Sequence, residues 1–287
     1  MIRSLVLKVP LALALGVALW LGPGSAAGLA ALAVAGLFAA LLAWQVFDVN
    51  AGLWVPTLWR AASPGGAVAL TFDDGPDPEF TPRVLDILRS KGVPATFFVV
   101  GSRVRTRPDI LAQIDAAGHL VGNHTDTHGA GFHFHLWAAI RKELAACNLA
   151  VRSTIGKEPA FFRSPQGFKN PALGDVVREM GFSAIGWQVR GFDSVEPDAD
   201  KIVRRIVSRV RPGGIVQMHD GSSAFGPKGR KATLDALPRV IDAIRAAGLT
   251  FVPLDSLLGR AAYHAAPTDQ SSRGPISSPD RTKKASP

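Results

Sequence analysis

The sequence predicts an α/β chain built on a parallel sheet, open or closed into a barrel, and preceded by apolar helices that reach a membrane. Two patterns carry this expectation. From about Ala67 to Leu258, short β-branched or aromatic runs alternate with longer amphipathic ones, as repeated strand–helix units do. The first 47 residues hold two almost wholly apolar stretches. In such sheets chemistry gathers at the carboxyl ends of the strands, so the residues just after each strand carry the functional reading.

The apolar stretches come first. From Leu5 to Leu21 the chain is nearly all Leu, Ala and Val, broken by Lys8, and after Gly22-Pro23-Gly24-Ser25 it is apolar again from Gly28 to Phe47. A membrane helix needs about 20 such residues. Residues 1–60 therefore read as a membrane anchor, a two-helix hairpin over 5–21 and 28–47 with the Gly-Pro-Gly-Ser break as its turn. Arg3 and Lys8 also fit the charged start of a signal peptide cut among Ser25 to Ala27. The second span begins at once beyond that point, which favours the hairpin. Trp44, Trp54 and Trp59 suit an interfacial belt at the exit. The two early charges favour a cytoplasmic N-terminus, and two spans return the chain to the cytoplasmic face of a bacterial-type inner membrane, whereas one span leaves it on the periplasmic side.

The strand and helix runs then follow in order. Val68 to Phe72 precedes a helix over Thr81 to Ser90, and Ala95 to Val100 precedes Pro108 to Ala117. Leu120-Val121 opens a short strand before the long helical run Leu136 to Ile155. Ala160 to Arg163 leads to Pro171–Met180, Phe182 to Val189 to Ala199–Val210, and Ile215 to Met218 to Ala232–Ala247, with Leu249 to Val252 last. Glycines at Gly92, Gly118, Gly181 and Gly248 stand where helix C-caps belong. From about Ala265 to Pro287 the chain is Pro, Ser, Thr and charge without apolar period, which reads as a disordered tail.

Composition narrows the class. With 287 residues, 47% of them hydrophobic, the chain can bury a large core, which excludes a disulfide-stapled miniprotein or a wholly disordered chain. The single Cys147 cannot make an internal disulfide and lies in a helical run, where a buried thiol is expected. The net charge is +9. Setting aside the tail (Arg273, Arg281, Lys283 and Lys284 against Asp269 and Asp280) and the apolar start (Arg3 and Lys8 against Asp48) leaves roughly +6 on the middle. No zinc-finger spacing, RNA-binding signature or dense basic run accompanies it, so nucleic acid is not an expected partner. Anionic lipid headgroups and phosphate-bearing substrates remain open beside an ordinary basic surface.

Polar residues gather at four strand ends. Val68 to Phe72 runs into Asp73-Asp74-Gly75-Pro76; two adjacent carboxylates repel unless a cation or proton serves them, so one can bind a metal while the other stays free as a base. An acidic Asp-Gly-Pro turn is the plain alternative. His124 and His128 are four apart after another strand and can ligate one ion, with one Asp completing a two-His-one-carboxylate set. Arg163 follows Phe161-Phe162 and would hold a neighbouring carboxylate ionised. His219, followed by Asp220, is placed to protonate a leaving amine. His133 and His135 either line a substrate groove or are exposed loop residues.

These residues resemble the polysaccharide deacetylase family, also called the NodB-homology or carbohydrate esterase family 4 group, over about residues 65–260. Thr71-Phe72-Asp73-Asp74-Gly75-Pro76, His124-Thr125-Asp126-Thr127-His128, Arg163-Ser164-Pro165-Gln166-Gly167 and Val216-Gln217-Met218-His219-Asp220 match four of its five motif blocks in order. The resemblance implies a distorted, incompletely closed (β/α) barrel. It also implies a hydrolase that removes an N-acetyl or related N-acyl group from an amino sugar of an envelope polysaccharide or a lipid-linked glycan precursor. It implies one divalent ion, most often Zn2+ with Co2+, Mn2+ or Ni2+ as alternatives, on Asp74, His124 and His128. Asp73 would be the base, oriented by Arg163, His219 the acid, and the backbone N–H of Gln166 an oxyanion donor. Pro165, Gln166, Trp187, Arg190 and Asp193 are the expected substrate-binding residues. Two departures stand out. Gln166 replaces an aromatic residue, and in Trp187-Gln188-Val189-Arg190-Gly191-Phe192-Asp193 an Arg stands where the carboxylate behind the acid His is expected. Asp193 could serve instead, or Arg190 could meet an anionic substrate group. A catalytically silent carbohydrate-binding or scaffold member of the same fold is the alternative function.

Overall fold

The computed structural model describes residues 12–14, 16–62, 65–222 and 230–265. Among these residues nine strands form one sheet: β1 (Thr57–Leu58), β2 (Ala67–Asp73), β3 (Ala95–Val99), β4 (Leu120–Asn123), β5 (Phe161–Phe162), β6 (Ser183–Ile185), β7 (Val189–Arg190), β8 (Ile215–His219) and β9 (Thr250–Phe251). Their order is β1-β6-β5-β4-β3-β2-β8-β7, with β9 against the start of β2, and every pairing is parallel. Parallel neighbours need crossovers, and the expected helices supply them over Phe80–Lys91, Pro108–Ala116, Trp137–Ile155, Pro171–Glu179, Ala199–Val207 and Lys231–Ala246. Two short helices, Gly101–Thr106 and Leu254–Leu258, carry too few residues to show an apolar period in the sequence.

One expected strand is broken. Phe182 to Val189 reads as a single run, yet Gly186–Gln188 separates β6 from β7. The segment pairs with β5 and β1 at its start and with β8 at its end, which curls the sheet into an incompletely closed barrel. At the crossing point Gly186 lies so close to β1 that an added Cβ would stand 2.9 Å from Thr57 Cγ2. Alternation along β2 divides its side chains between two cores. Val68, Leu70 and Phe72 join the outer cluster with Val84, Leu88, Val240 and Ile244 of the covering helices. Ala69 joins Phe98, Phe161, Ile185 and Ile215 inside the barrel. Thr71 and Asp73 share the Ala69 face, so the base candidate projects into the barrel mouth.

Ahead of the barrel stands α1 (Ala26–Phe47), capped by Ser25, whose hydroxyl accepts the Gly28 N–H at 3.0 Å. Its 22 residues carry no charge, and only Gly28, Ala35 and Gln45 are buried. At 1.5 Å per residue it is about 33 Å long, enough to cross the hydrocarbon core of a bilayer. The expected first stretch, 5–21, is helical in its described residues and lies partly outside them, as does the expected tail beyond Ala265. The end of α1 is fastened to the barrel. The Lys169 N–H donates to Val46 O at 3.1 Å, and its buried ammonium donates to Val49 O at 2.9 Å and to Ala51 O. Phe47 packs edge-on against Phe168, with ring centroids 5.1 Å apart.

Lys169→Met keeps the volume but leaves those carbonyls unpaired, a cost of about 1–3 kcal/mol for each buried group. Limited proteolysis between residues 48 and 56 should therefore quicken in the variant; an unchanged cleavage pattern would show that Lys169 does not fasten the helix.

Candidate active site

The residues singled out by sequence converge at the carboxyl ends of β2, β4, β5 and β8. In β2 alternation alone would point Asp73 and Asp74 to opposite faces. Asp74 instead adopts φ = 77°, a conformation few non-glycine residues take, and both carboxylates reach the rim. Their partners divide them. Asp73 Oδ1 accepts from Arg163 Nη1 at 2.6 Å, and Oδ2 accepts from Gln217 Nε2 at 2.5 Å. Asp74 Oδ1 lies 3.2 Å from His128 Nε2 and 3.5 Å from His124 Nε2. Burial pushes the Asp74 carboxyl up, but the His124 hydrogen bond and the charges of His219 and His128 outweigh it and hold the group well below the usual carboxylate range.

His124 and His128 meet through a loop and not a helix face. Thr125 (φ = 67°) and His128 (φ = 52°) are both left-handed, and the turn is held by Thr125 N–H on Asn123 Oδ1 at 2.9 Å and by His128 N–H on Thr125 Oγ1 at 3.0 Å. The His124 ring places Nδ1 on the Arg163 carbonyl at 2.8 Å, which leaves Nε2 for the cluster. The ligand atoms of Asp74, His124 and His128 lie within 4.8 Å of one another. Two imidazole nitrogens and one carboxylate oxygen, one of the imidazoles oriented from behind, fit a divalent ion of the zinc type with positions left open. Burial and the neighbouring His124 push the His128 imidazole down to about 4, so it is neutral and able to ligate at neutral pH.

On the other side of Asp73, in register with it across β2 and β8, stands His219. Its Nδ1 lies 2.9 Å from Asp193 Oδ1, and its backbone N–H donates to Asp193 Oδ2 at 2.9 Å. Asp193, fully buried and also accepting from Thr233 Oγ1 at 2.9 Å, stands behind His219, the place the sequence offered it beside substrate binding. Burial lowers the His219 pKa, but the Asp193 charge and hydrogen bond prevail and raise it to about 9. Asp220, buried beside Thr81 Oγ1 at 2.6 Å, is pushed up by burial to about 7.

A cleft opens over these groups. Gln166, Trp187, Arg190, Phe192, Ser194 and Val195 line it together with Asp73, Asp74, His124, His128, Gln217 and His219. Gln166 sits on a tight turn in a left-handed conformation (φ = 53°), and Pro165 is buried beneath it, away from the cleft lining. His133 and His135 are partly buried in a turn outside the cleft, their carbonyls accepting from Asn170 Nδ2 at 2.7 and 2.9 Å. Cys147 is buried and donates to Val99 O. Four supporting residues escape the sequence reading. They are Gln217, Thr233, Arg103, whose Nη1 donates to Asp74 O at 2.7 Å, and Arg230, fully buried with Nη2 3.9 Å from Asp74 Oδ2. Gln217 could have been found as the residue two before His219, on the same face of β8.

A barrel of parallel strands with this rim defines a deacetylase of the NodB-homology kind, and comparison with known proteins agrees. The family model for polysaccharide deacetylase matches residues 60–185. A peptidoglycan-N-acetylglucosamine deacetylase of Bacillus cereus is 32% identical over 208 residues, covering 70% of this chain and 92% of the relative. A chitooligosaccharide deacetylase of Bradyrhizobium is 36% identical over 198 residues, covering 67% and 90%. A crystal structure of a peptidoglycan N-acetylglucosamine deacetylase superposes with a TM-score of 0.67 at 29% identity, over 72% of this chain and 94% of that one. A family pseudoenzyme from Bacillus anthracis superposes at 0.63 with 26% identity, over 71% of this chain and 70% of its own. The chain belongs to the polysaccharide deacetylase family, carbohydrate esterase family 4, and is a hydrolase of that type.

Asp193→Asn removes the charge that holds the His219 proton, so the ring should titrate well below the value near 9, as followed by nitrogen-15 NMR of the imidazole. An unmoved midpoint would mean that Asp193 is not its electrostatic partner.

Proposed function

We propose that the chain is a membrane-anchored, metal-dependent N-deacetylase acting on an N-acetylglucosamine-type unit of an envelope glycan or a lipid-linked glycan precursor. The observation that carries this reading is the division of labour between adjacent carboxylates: Asp74 faces the two imidazoles, whereas Asp73 is held off them by Arg163 and Gln217. Bound by Asp74, His124 and His128, a divalent ion, zinc before cobalt, manganese or nickel, would supply Lewis-acid polarisation of the acyl carbonyl and its attacking water.

The protein's own groups do the rest. Asp73 takes a proton from the water as its oxygen adds to the acyl carbon. The Gln166 N–H, presented on its left-handed turn, donates to the oxygen on which charge develops. His219, kept protonated by Asp193, gives its proton to the nitrogen as the C–N bond breaks, so acetate and a neutral amine leave. Trp187, nearly buried in the cleft wall, packs against the sugar face. The silent-binder alternative requires that Arg190 has displaced the carboxylate behind His219; Asp193 standing there removes its main support. The α1 helix, fastened to the segment that also carries Gln166, supports a substrate taken at the bilayer surface.

Asp73→Asn and His219→Ala should each lower kcat for acetate release about 10²- to 10⁴-fold, the usual worth of a positioned base or acid. Undiminished release from either variant would overturn the assignment. A chelator should abolish activity and added zinc restore it. A reporter fused after Pro287 should read out on the cytoplasmic side if both apolar stretches span; a periplasmic readout would contradict the hairpin.

A further inference from the structure

Among the described residues, Arg190 is the one charged residue of the cleft lining to which the proposed mechanism gives no work, and its surroundings are unusual. It ends β7, where its register partner is Gln217 of β8, the residue that holds Asp73. Side chains in register on neighbouring parallel strands share a face, so Arg190, level with Gln217 and Thr71, stands on the face that carries Asp73 two residues further along β2, and it lines the same cleft. Its guanidinium lies 4.1 Å from the Phe192 ring and 5.3 Å from the Trp187 ring. Among the described residues no carboxylate or carbonyl is recorded as its partner. The neighbouring Arg205, by contrast, is paired with Glu196 at 2.9 Å. The acidic groups of the cleft are also spoken for, Asp73 by Arg163 and Gln217 and Asp74 by the His pair.

A half-buried guanidinium that gives its faces to two aromatic rings keeps its N–H edge for an in-plane partner, and the geometry it matches best is a two-oxygen anion. Burial lowers the Arg190 pKa, and a guanidinium keeps its charge in proteins. An unpaired cation in the cleft wall of a hydrolase favours substrates that bring the missing anion with them.

We propose that Arg190 forms an oxyanion subsite, which takes a phosphate or carboxylate carried by the amino-sugar substrate close to the N-acyl group. This deepens the deacetylase reading and rests on it for the identity of the sugar. The subsite makes the enzyme selective for an acidic glycan unit over neutral chitooligosaccharide. Arg190 acts here on binding and plays no part in the proton transfers.

The test uses the full chain, zinc-loaded, in detergent micelles at constant ionic strength. Three probes are compared by kcat/KM: neutral N,N′-diacetylchitobiose, an N-acetylglucosaminyl–N-acetylmuramic acid disaccharide, which brings a carboxylate, and N-acetylglucosamine 1-phosphate bearing a short prenyl chain. At least one anionic probe should exceed chitobiose about tenfold or more, through KM, and Arg190→Gln should abolish that preference while Arg190→Lys retains part of it. A preference for the carboxylate identifies the anion as part of the glycan, and one for the phosphate as part of a lipid link. No preference in the wild type, or the same preference in Arg190→Gln, overturns the proposal. Binding to the Asp73→Asn protein, measured calorimetrically, provides a second readout that does not need turnover. Either N-acetylglucosamine 1-phosphate or N-acetylmuramic acid should bind about tenfold more tightly than methyl N-acetylglucosaminide, and equal affinities for all three overturn the subsite even if Arg190→Gln fails to fold. If no probe releases acetate but the binding difference persists, the hydrolase reading fails and the subsite stands.

Discussion

The buried guanidinium of Arg163 is the group on which the rest of the site depends. It donates to Asp73 Oδ1 at 2.6 Å and Thr71 Oγ1 at 2.9 Å on β2, and to Gly186 O at 2.9 Å and Ile185 O at 3.3 Å where β6 gives way to β7. Its own carbonyl receives the His124 ring. One residue thus holds the proposed base, orients one of the two clustered imidazoles and holds the seam at which the sheet curls. A fully desolvated charge is tolerable only when its donors are used and a carboxylate stands beside it, and the Phe98 ring, 4.1 Å away, fills its face. Removing either member of the pair would leave the other charge uncompensated in the barrel mouth, so fold and chemistry share one constraint.

The second constraint is backbone conformation. Among the described residues, the non-glycine residues at positive φ are Asp74, Thr125, His128, Gln166 and Phe192, and all lie in the cleft or between its two histidines. Strand geometry can deliver a residue to the rim but cannot aim two neighbours at one point. The left-handed turns do the aiming. Each costs on the order of 1–3 kcal/mol, which the packed barrel beneath must offset. The network around the turns, Asn123 on Thr125 and Glu143 on the Asp126 and Thr127 N–H groups, holds the histidine loop in that shape.

Much of this was legible in the sequence, for a definite reason. Asp73, Asp74, His124, Arg163 and His219 each stand at or just beyond the end of a strand whose apolar run is plain, so the rule that chemistry gathers at strand ends reaches them directly. The helices were legible wherever an apolar period ran for two turns or more. What escaped depends on distant contacts. Arg230 and Thr233 approach the site from the segment that starts the helix Lys231–Ala246, and no local pattern marks them. The break at Gly186–Gln188 follows from barrel closure, which a β-rich run of eight residues does not reveal. Asp193 and Arg190 could not be assigned to their places by spacing alone, because two residues of irregular chain, Gly191 and Phe192, separate the edge strand from the carboxylate that reaches His219.

A pseudoenzyme shares this fold, so the roles proposed for the two adjacent carboxylates are tested at those residues themselves. The most direct measurement is metal content and acetate release determined together for Asp73→Asn and Asp74→Asn. Asp73→Asn should retain about one ion per chain and lose turnover, whereas Asp74→Asn should lose both. Loss of the ion from Asp73→Asn, or full occupancy and activity in Asp74→Asn, would contradict the division of roles.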